Sequence, residues 1–369
     1  MARLLALLWL ALAAALAIPP GGALAQDRQS AAELSAEVRD DQGFLTRLLE
    51  QNLSGAGREV QIHGFRGALS SRATFERITI ADADGIWIEL DNGAIQWNRS
   101  ALFARRIEIA ELSAETIRLP RLPAAGEGDR TAEVRSFSLP TLPVAVEIDR
   151  IAAGRVEIGE PVFGEAAVVS LAGSMGLKGG AGEAQLAIER VDGKRGIFTV
   201  DAAYSNATKV LKTDITLDEE ARGIFANLVG LEGRPAVRAE IAGEGPLDDF
   251  AAEIALATDG QPRVTGQVAI AAAAGEDGSP GRSFRLRLGG DVAALIPEAQ
   301  RAFFGREAQL LAEGWRGDDG RLSVPVLLVD TEALNLSGSL TTNAENAPLS
   351  AVLLLTLGAD AGAAELPVR

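Results

Sequence analysis

The chain has 369 residues, a formal charge of −16 and no cysteine, which removes disulfides, thiolate chemistry and Cys-based metal sites together. The acidic balance argues against binding a nucleic-acid backbone, which needs a basic face. Hydrophobic residues reach 47%, ample for a core, yet aromatics are only 5%, and Arg far outnumbers Lys, a bias that points toward a bacterial source.

Met1-Ala2-Arg3 precedes an uncharged apolar run from Leu4 to Ile18, and Pro19-Pro20-Gly21-Gly22 then breaks it before Ala23-Leu24-Ala25. The run suits the core of a signal peptide and is shorter than the roughly 20 residues of a bilayer span. Residues 1–25 are therefore expected to be a signal peptide with cleavage before Gln26, or else a retained signal anchor. Either way the remainder is expected outside the cytoplasm. Residues 26–55 read as a helical cap, with Leu45, Leu48, Leu49 and Leu53 at helical spacing.

From there on, residues 56–369 read as one elongated, repeat-like β domain. Ile78/Ile80, Ile86/Ile88/Leu90, Ile95/Trp97, Ile107/Ile109 and Ile117/Leu119 alternate with polar residues, as half-buried strands do. Turns are expected at Ala81–Gly85 and at Asp91-Asn92-Gly93. Simple pleating places Trp87 opposite Ile86 and Ile88, on the outer side of the sheet. Val146/Ile148 and Val156/Ile158 flank Ile151–Gly154 like the two arms of a hairpin. Leu186/Ile188, Phe198/Val200, Ile215/Leu217, Ile254/Leu256 and Phe284/Leu286/Leu288 continue the alternation. Gly179-Gly180-Ala181-Gly182 lacks the Lys-Ser/Thr of a phosphate loop and reads as a turn. Short helices are expected over Asp218–Gly230 and Pro297–Gly305. An apolar-x-Gly-x-apolar element recurs at Leu171–Met175, Val264–Val268 and Leu336–Leu340, a weak internal repeat of the kind that extends stacked β architectures.

Chemistry-bearing residues are sparse. His63 is the only histidine, and one imidazole assembles neither a zinc site nor a nucleophile pair. Carboxylates are plentiful, but no spacing singles out a pair. The reading is of a non-enzyme, with no catalytic, metal or cofactor-binding residue assigned and no cofactor. Alternation alone leaves two architectures open: a compact sandwich, or a single long sheet with one apolar face.

Val60–Gly64, Gly67–Ser71, Asp82–Trp87, Trp97–Leu102 and Leu112–Pro123 occur in an order and spacing that resembles the N-terminal part of the TamB-like group. These AsmA-related translocation and assembly module proteins belong to Gram-negative envelopes. The resemblance implies a long, curled, taco-like sheet forming an apolar groove, held in the periplasm and, where the signal anchor is retained, tethered to the inner membrane. It implies phospholipid transport between inner and outer membranes, with help to outer-membrane protein assembly and secretion as a further role. An assembly factor or chaperone for outer-membrane β-barrels that pairs client strands, without moving lipid, is the alternative. Under this reading Ile78, Ile80, Ile86, Ile88, Leu90, Ile107, Ile109, Leu186, Ile188, Ile254 and Leu256 are candidates to line the groove against phospholipid acyl chains, with Glu89, Glu108 and Gln185 pointing outward. Family members are longer and reach an outer-membrane TamA-like barrel through a C-terminal β domain. That contact is implied only through a region outside this sequence.

Overall fold

The computed structural model describes residues 59–67, 72–123, 139, 144–298, 301, 305–344 and 347–357. The expected signal segment and helical cap lie outside these residues. Among the described residues no helix is long and apolar enough to cross a membrane.

The strands begin with β1 (Glu59–His63), β2 (Arg72–Asp82), β3 (Gly85–Asn98), β4 (Arg106–Leu119) and β5 (Ala145–Ile158). Next come β6 (Ala167–Lys178), β7 (Ala181–Arg190), β8 (Gly196–Ser205), β9 (Val210–Glu219), β10 (Val237–Pro246) and β11 (Asp249–Thr258). The series closes with β12 (Gln261–Ala274), β13 (Pro280–Asp291), β14 (Glu307–Gly317), β15 (Leu322–Thr331), β16 (Leu334–Thr342) and β17 (Pro348–Leu357). All belong to one 17-stranded sheet. By residue register each strand pairs with its successor in the chain, from β1 to β17. At about 4.8 Å per strand such a series extends for roughly 80 Å.

Every pair is antiparallel except β4–β5, which runs parallel. A parallel neighbour requires a crossover, and the chain supplies it between Leu119 and Ala145. Leu122 and Leu139 of this connection pack on Trp87 and on Val146/Ile148/Leu177 respectively. Several of the antiparallel links are tight turns. Gly179 and Gly180 join β6 to β7 with φ of 57° and 77°, the paired positive values that a two-residue hairpin needs.

The connections that hold α-helices among the described residues lie at one end of the strands. There lie α1 (Glu160–Phe163), started by Pro161, and α2 (Ile224–Leu228). The helix expected over Asp218–Gly230 is thus shorter than its pattern, because Asp218 and Glu219 complete β9 by pairing with Arg238 and Val237. Of the helix expected over Pro297–Gly305, Glu298 and Arg301 are helical and the residues between them lie outside the described set.

Two further expectations are corrected. Asp91-Asn92-Gly93 is no turn, since β3 runs straight through it. Val146–Ile158 is no hairpin but one strand. Both corrections have the same cause. The register steps over Glu76 and Asn92 between β2 and β3, over Asn92 and Glu115 between β3 and β4, and over Glu115 and Gly154 between β4 and β5. These four residues are exposed, Asn92 adopts φ 50°, and its amide donates to Glu115 Oε2 at 2.8 Å. A line of irregularity therefore crosses four strands and changes the parity of the pleat. Phe75 and Ile78, three residues apart, consequently join one apolar cluster, as do Ala153 and Val156.

The Phe75 ring fills the space above Gly93. A Cβ on that glycine would lie 1.8 Å from Phe75 Cζ. Gly93→Val should therefore destabilise the sheet by about 1–3 kcal/mol, the usual range for overpacking. Adding Phe75→Leu should recover part of the loss in urea denaturation. Equal stability of Gly93→Val and the parent would mean that the ring does not occupy this space.

Candidate functional site

Residues directly opposed in a sheet share a face, so the registers trace which side chains stand together. One row runs Ala73, Ile95, Leu112, Ile151, Gly173, Leu186, Val200, Ile215 and Ile241 from β2 to β10. It continues through Ile254, Gly266, Leu288, Leu310, Val329 and Leu336 to Leu355 in β17. No strand interrupts it with a polar side chain. A second row on the same face links Ala153, Leu171, Ile188, Phe198, Leu217, Ala239, Leu256 and Val264.

The opposite face carries ion pairs and polar contacts over β2–β8. Arg77 bonds Asp91 at 2.8 Å, Arg118 bonds both Glu89 and Asp91, and Gln185 bonds Asp201 at 3.0 Å. Burial pushes the Asp91 carboxyl up, but hydrogen bonds from Arg77 and Arg118 outweigh it and leave the group below its ordinary value.

Of the groove candidates, Leu186 and Ile254 stand on the first row, and Ile188 and Leu256 on the second. Ile78, Ile80, Ile88 and Leu90 share the apolar face with Val60 and Ile62 through β1–β2 and β2–β3 pairing. Ile107 and Ile109 oppose Val146 and Ile148 and cluster with Leu112. Ile86 stands apart. Ile80 pairs Ile88 while Ala81 pairs Ile86, so Trp87 is the extra residue of a β-bulge. The bulge turns Ile86 to the other face, 47% exposed, and buries Trp87 against Ile80, Ile88, Leu119 and Val162. The outward placement expected for Trp87 is corrected by this single inserted residue.

The apolar face has no second sheet against it among the described residues. Its buried side chains fall into five small clusters rather than one core. Val162 of α1, with Trp87 and Leu119, forms one. Ala226 of α2, with Leu231 and Val237, forms another at the same end of the strands. The two short helices meet there, Asn227 Nδ2 donating to Phe163 O at 3.4 Å.

An ionic cluster ties this end together. Glu165 accepts from Lys194 at 2.5 Å and from Arg234, with buried Arg190 at 3.8 Å. Arg190 in turn holds Asp192 at 2.5 Å. Buried Glu219 accepts from the Ile224 and Phe225 backbone N–H groups at 3.1 and 2.8 Å, which fixes the start of α2.

The two glutamates titrate in opposite senses. Burial pushes Glu219 up despite its hydrogen bonds, so its protonation with falling pH favours the folded state. Burial also acts upward on Glu165, but bonds from Lys194 and Arg234 hold it below its ordinary 4.5. The stability Glu165 contributes is present above that value and is lost as pH falls through its lowered folded value. Glu165→Gln should therefore melt below the parent at pH 7, with the gap closing as the solution is acidified. A gap independent of pH would show that the carboxylate is not held by these cations.

Among the described residues no cluster of metal-ligating side chains forms. The extended apolar row was not legible as a unit from spacing alone, because no single strand reveals how its register meets the next. The recurrent glycine element was the available signal. Gly173, Gly266 and Gly338 all stand on the apolar face, where a Cβ would lie 2.5, 2.0 and 2.3 Å from a carbonyl oxygen of the following strand. No family model, curated protein or solved structure matches this chain.

Proposed function

We propose that this chain is a periplasmic groove protein that carries phospholipid between the inner and outer membranes. The observation behind this reading is the apolar row that continues from β2 to β17 without a polar interruption. A soluble protein rarely leaves such a face uncovered unless something else covers it. Acyl chains fit its chemistry, since each methylene taken from water contributes about 0.8 kcal/mol. A uniform row offers no deep trap, so a bound chain can move from strand to strand.

A curl toward the apolar face turns the sheet into a groove. The glycines on that face, with the next strand's carbonyl too close for a Cβ, support the curl, because side chains crowd most on a concave surface. The resemblance of Val60–Pro123 to TamB-like chains points the same way.

Chain purified from a Gram-negative envelope and extracted with organic solvent should yield phospholipid in the mass spectrum. Preparations consistently free of lipid would overturn the carrier reading.

A second reading draws on β17. Among the described residues that strand is exposed along its whole length, with Leu353 at 58% on the apolar face and Leu354 at 65% on the other. An exposed edge of this kind can pair with an incoming strand, which suits a factor assisting outer-membrane barrel assembly. Deleting the protein separates the two: barrel insertion lost with lipid traffic intact favours strand pairing.

A further inference from the structure

Arg282 of β13 and Arg316 of β14 are directly opposed in the register. They stand on the apolar face, two residues from the Phe284–Gly314 pair and four from Leu286–Ala312. Like charges set opposite each other in a sheet are destabilising. Among the described residues neither guanidinium takes part in an ion pair or a side-chain hydrogen bond, and Asp248 attracts Arg282 without bonding it. The neighbours directly opposed on the outer sides are Ala272 of β12 and Leu322 of β15.

Three carboxylates of the adjoining turns are engaged elsewhere. Arg321 bonds Asp277 at 2.8 Å and Asp319 at 2.6 Å. Asp248 bonds Lys209 at 2.8 Å, and this bond, more than the weaker pull of Arg282, holds its carboxyl low. At the opposite end of the strands Arg190, Arg234 and Arg263 have carboxylate partners. Two guanidiniums with no ion pair among the described residues thus mark one margin of the apolar face. From Arg282 the apolar positions Phe284, Leu286 and Leu288 run inward for about 20 Å at strand spacing.

We propose that Arg282 and Arg316 form a headgroup site, holding the phosphate of a phospholipid whose acyl chain lies along Phe284, Leu286 and Leu288. Guanidinium suits this task, because its planar donors meet phosphate oxygens in pairs. The bound phosphate also removes the repulsion between the two cations. The site rests on the lipid-carrier reading and adds to it a fixed place for the head group, so that lipid pauses here in one orientation.

The test compares full-length chain with Arg282→Gln/Arg316→Gln, using lysophosphatidylglycerol and a monoacylglycerol of the same chain length, both below their micelle concentrations. The parent should bind both ligands. The double variant should bind lysophosphatidylglycerol about tenfold or more weakly, the scale of a lost charge-assisted bond, with monoacylglycerol affinity unchanged. Millimolar inorganic phosphate should not displace the lysolipid. Equal lysolipid binding by parent and variant would overturn the headgroup site and leave the carrier reading standing. Parent chain that binds neither lipid would overturn the carrier reading itself. Displacement by phosphate alone would mark a free-anion site and count against the proposal. Should the double variant fail to fold, Arg316→Gln serves alone: its side chain is exposed, and relief of like-charge repulsion should leave melting unchanged or higher.

Discussion

Ile241→Arg is expected to leave the sheet folded and to abolish lipid binding at the middle of the row. Ile241 of β10 stands between Ile215 and Ile254 and is 37% exposed even with neighbours on both sides. An Arg placed there can run its methylenes along the row and keep its guanidinium in water. The cost in stability should stay within about 1 kcal/mol, as for other surface changes. A charge in the path of an acyl chain is another matter, since no carboxylate on that face would pair with it. Sealed inside a sandwich, the same Arg would cost several kcal/mol and unfold the domain. Thermal melting with lipid extraction on the same preparation separates the two outcomes. Collapse of the fold would argue for a closed core; a stable variant with full lipid content would remove the row from the pathway.

Trp87→Ala should have the largest effect on stability, about 3–5 kcal/mol. Trp87 is buried with Leu119 and Val162, and α1 has little else to rest on. The adjacent Ile86→Ala should change urea denaturation by roughly 0.5 kcal/mol or less, because the bulge leaves Ile86 exposed. Strict alternation through Ile86, Ile88 and Leu90 would give the reverse order. A larger loss at Ile86 than at Trp87 would show that the bulge is misplaced.

This contrast also measures how much was legible in the sequence. Within strands such as β7, where Leu186 and Ile188 alternate with exposed Gln185 and Ala187, period two is obeyed and the apolar face can be read directly. The Gly179-Gly180 turn was legible for the same local reason. Alternation fails where two adjacent residues are both exposed, as at Asp149-Arg150 and Gly154-Arg155 in β5. Such pairs look like turns in a sequence, yet they are bulges that reset the parity and keep Ile148, Ile151, Ala153 and Val156 on one face. Asp91-Asn92-Gly93 misleads similarly, since its turn-prone residues serve a left-handed kink inside β3. The parallel β4–β5 pairing, the two-helix end and the Glu165 cluster depend on contacts between distant segments, and spacing carries no trace of them. Arg282 and Arg316 lie well apart in the chain, and only the register brings them together.

The most direct test of the central claim is a photo-crosslinking residue introduced singly at Leu186, Ile215 and Ile254, and at their polar-face neighbours Gln185, Asp214 and Glu253. After irradiation in living Gram-negative cells, the three row positions should carry phospholipid adducts and the three polar positions should carry none. Adducts at none of the six, or equally on both faces, would contradict a lipid path along this row.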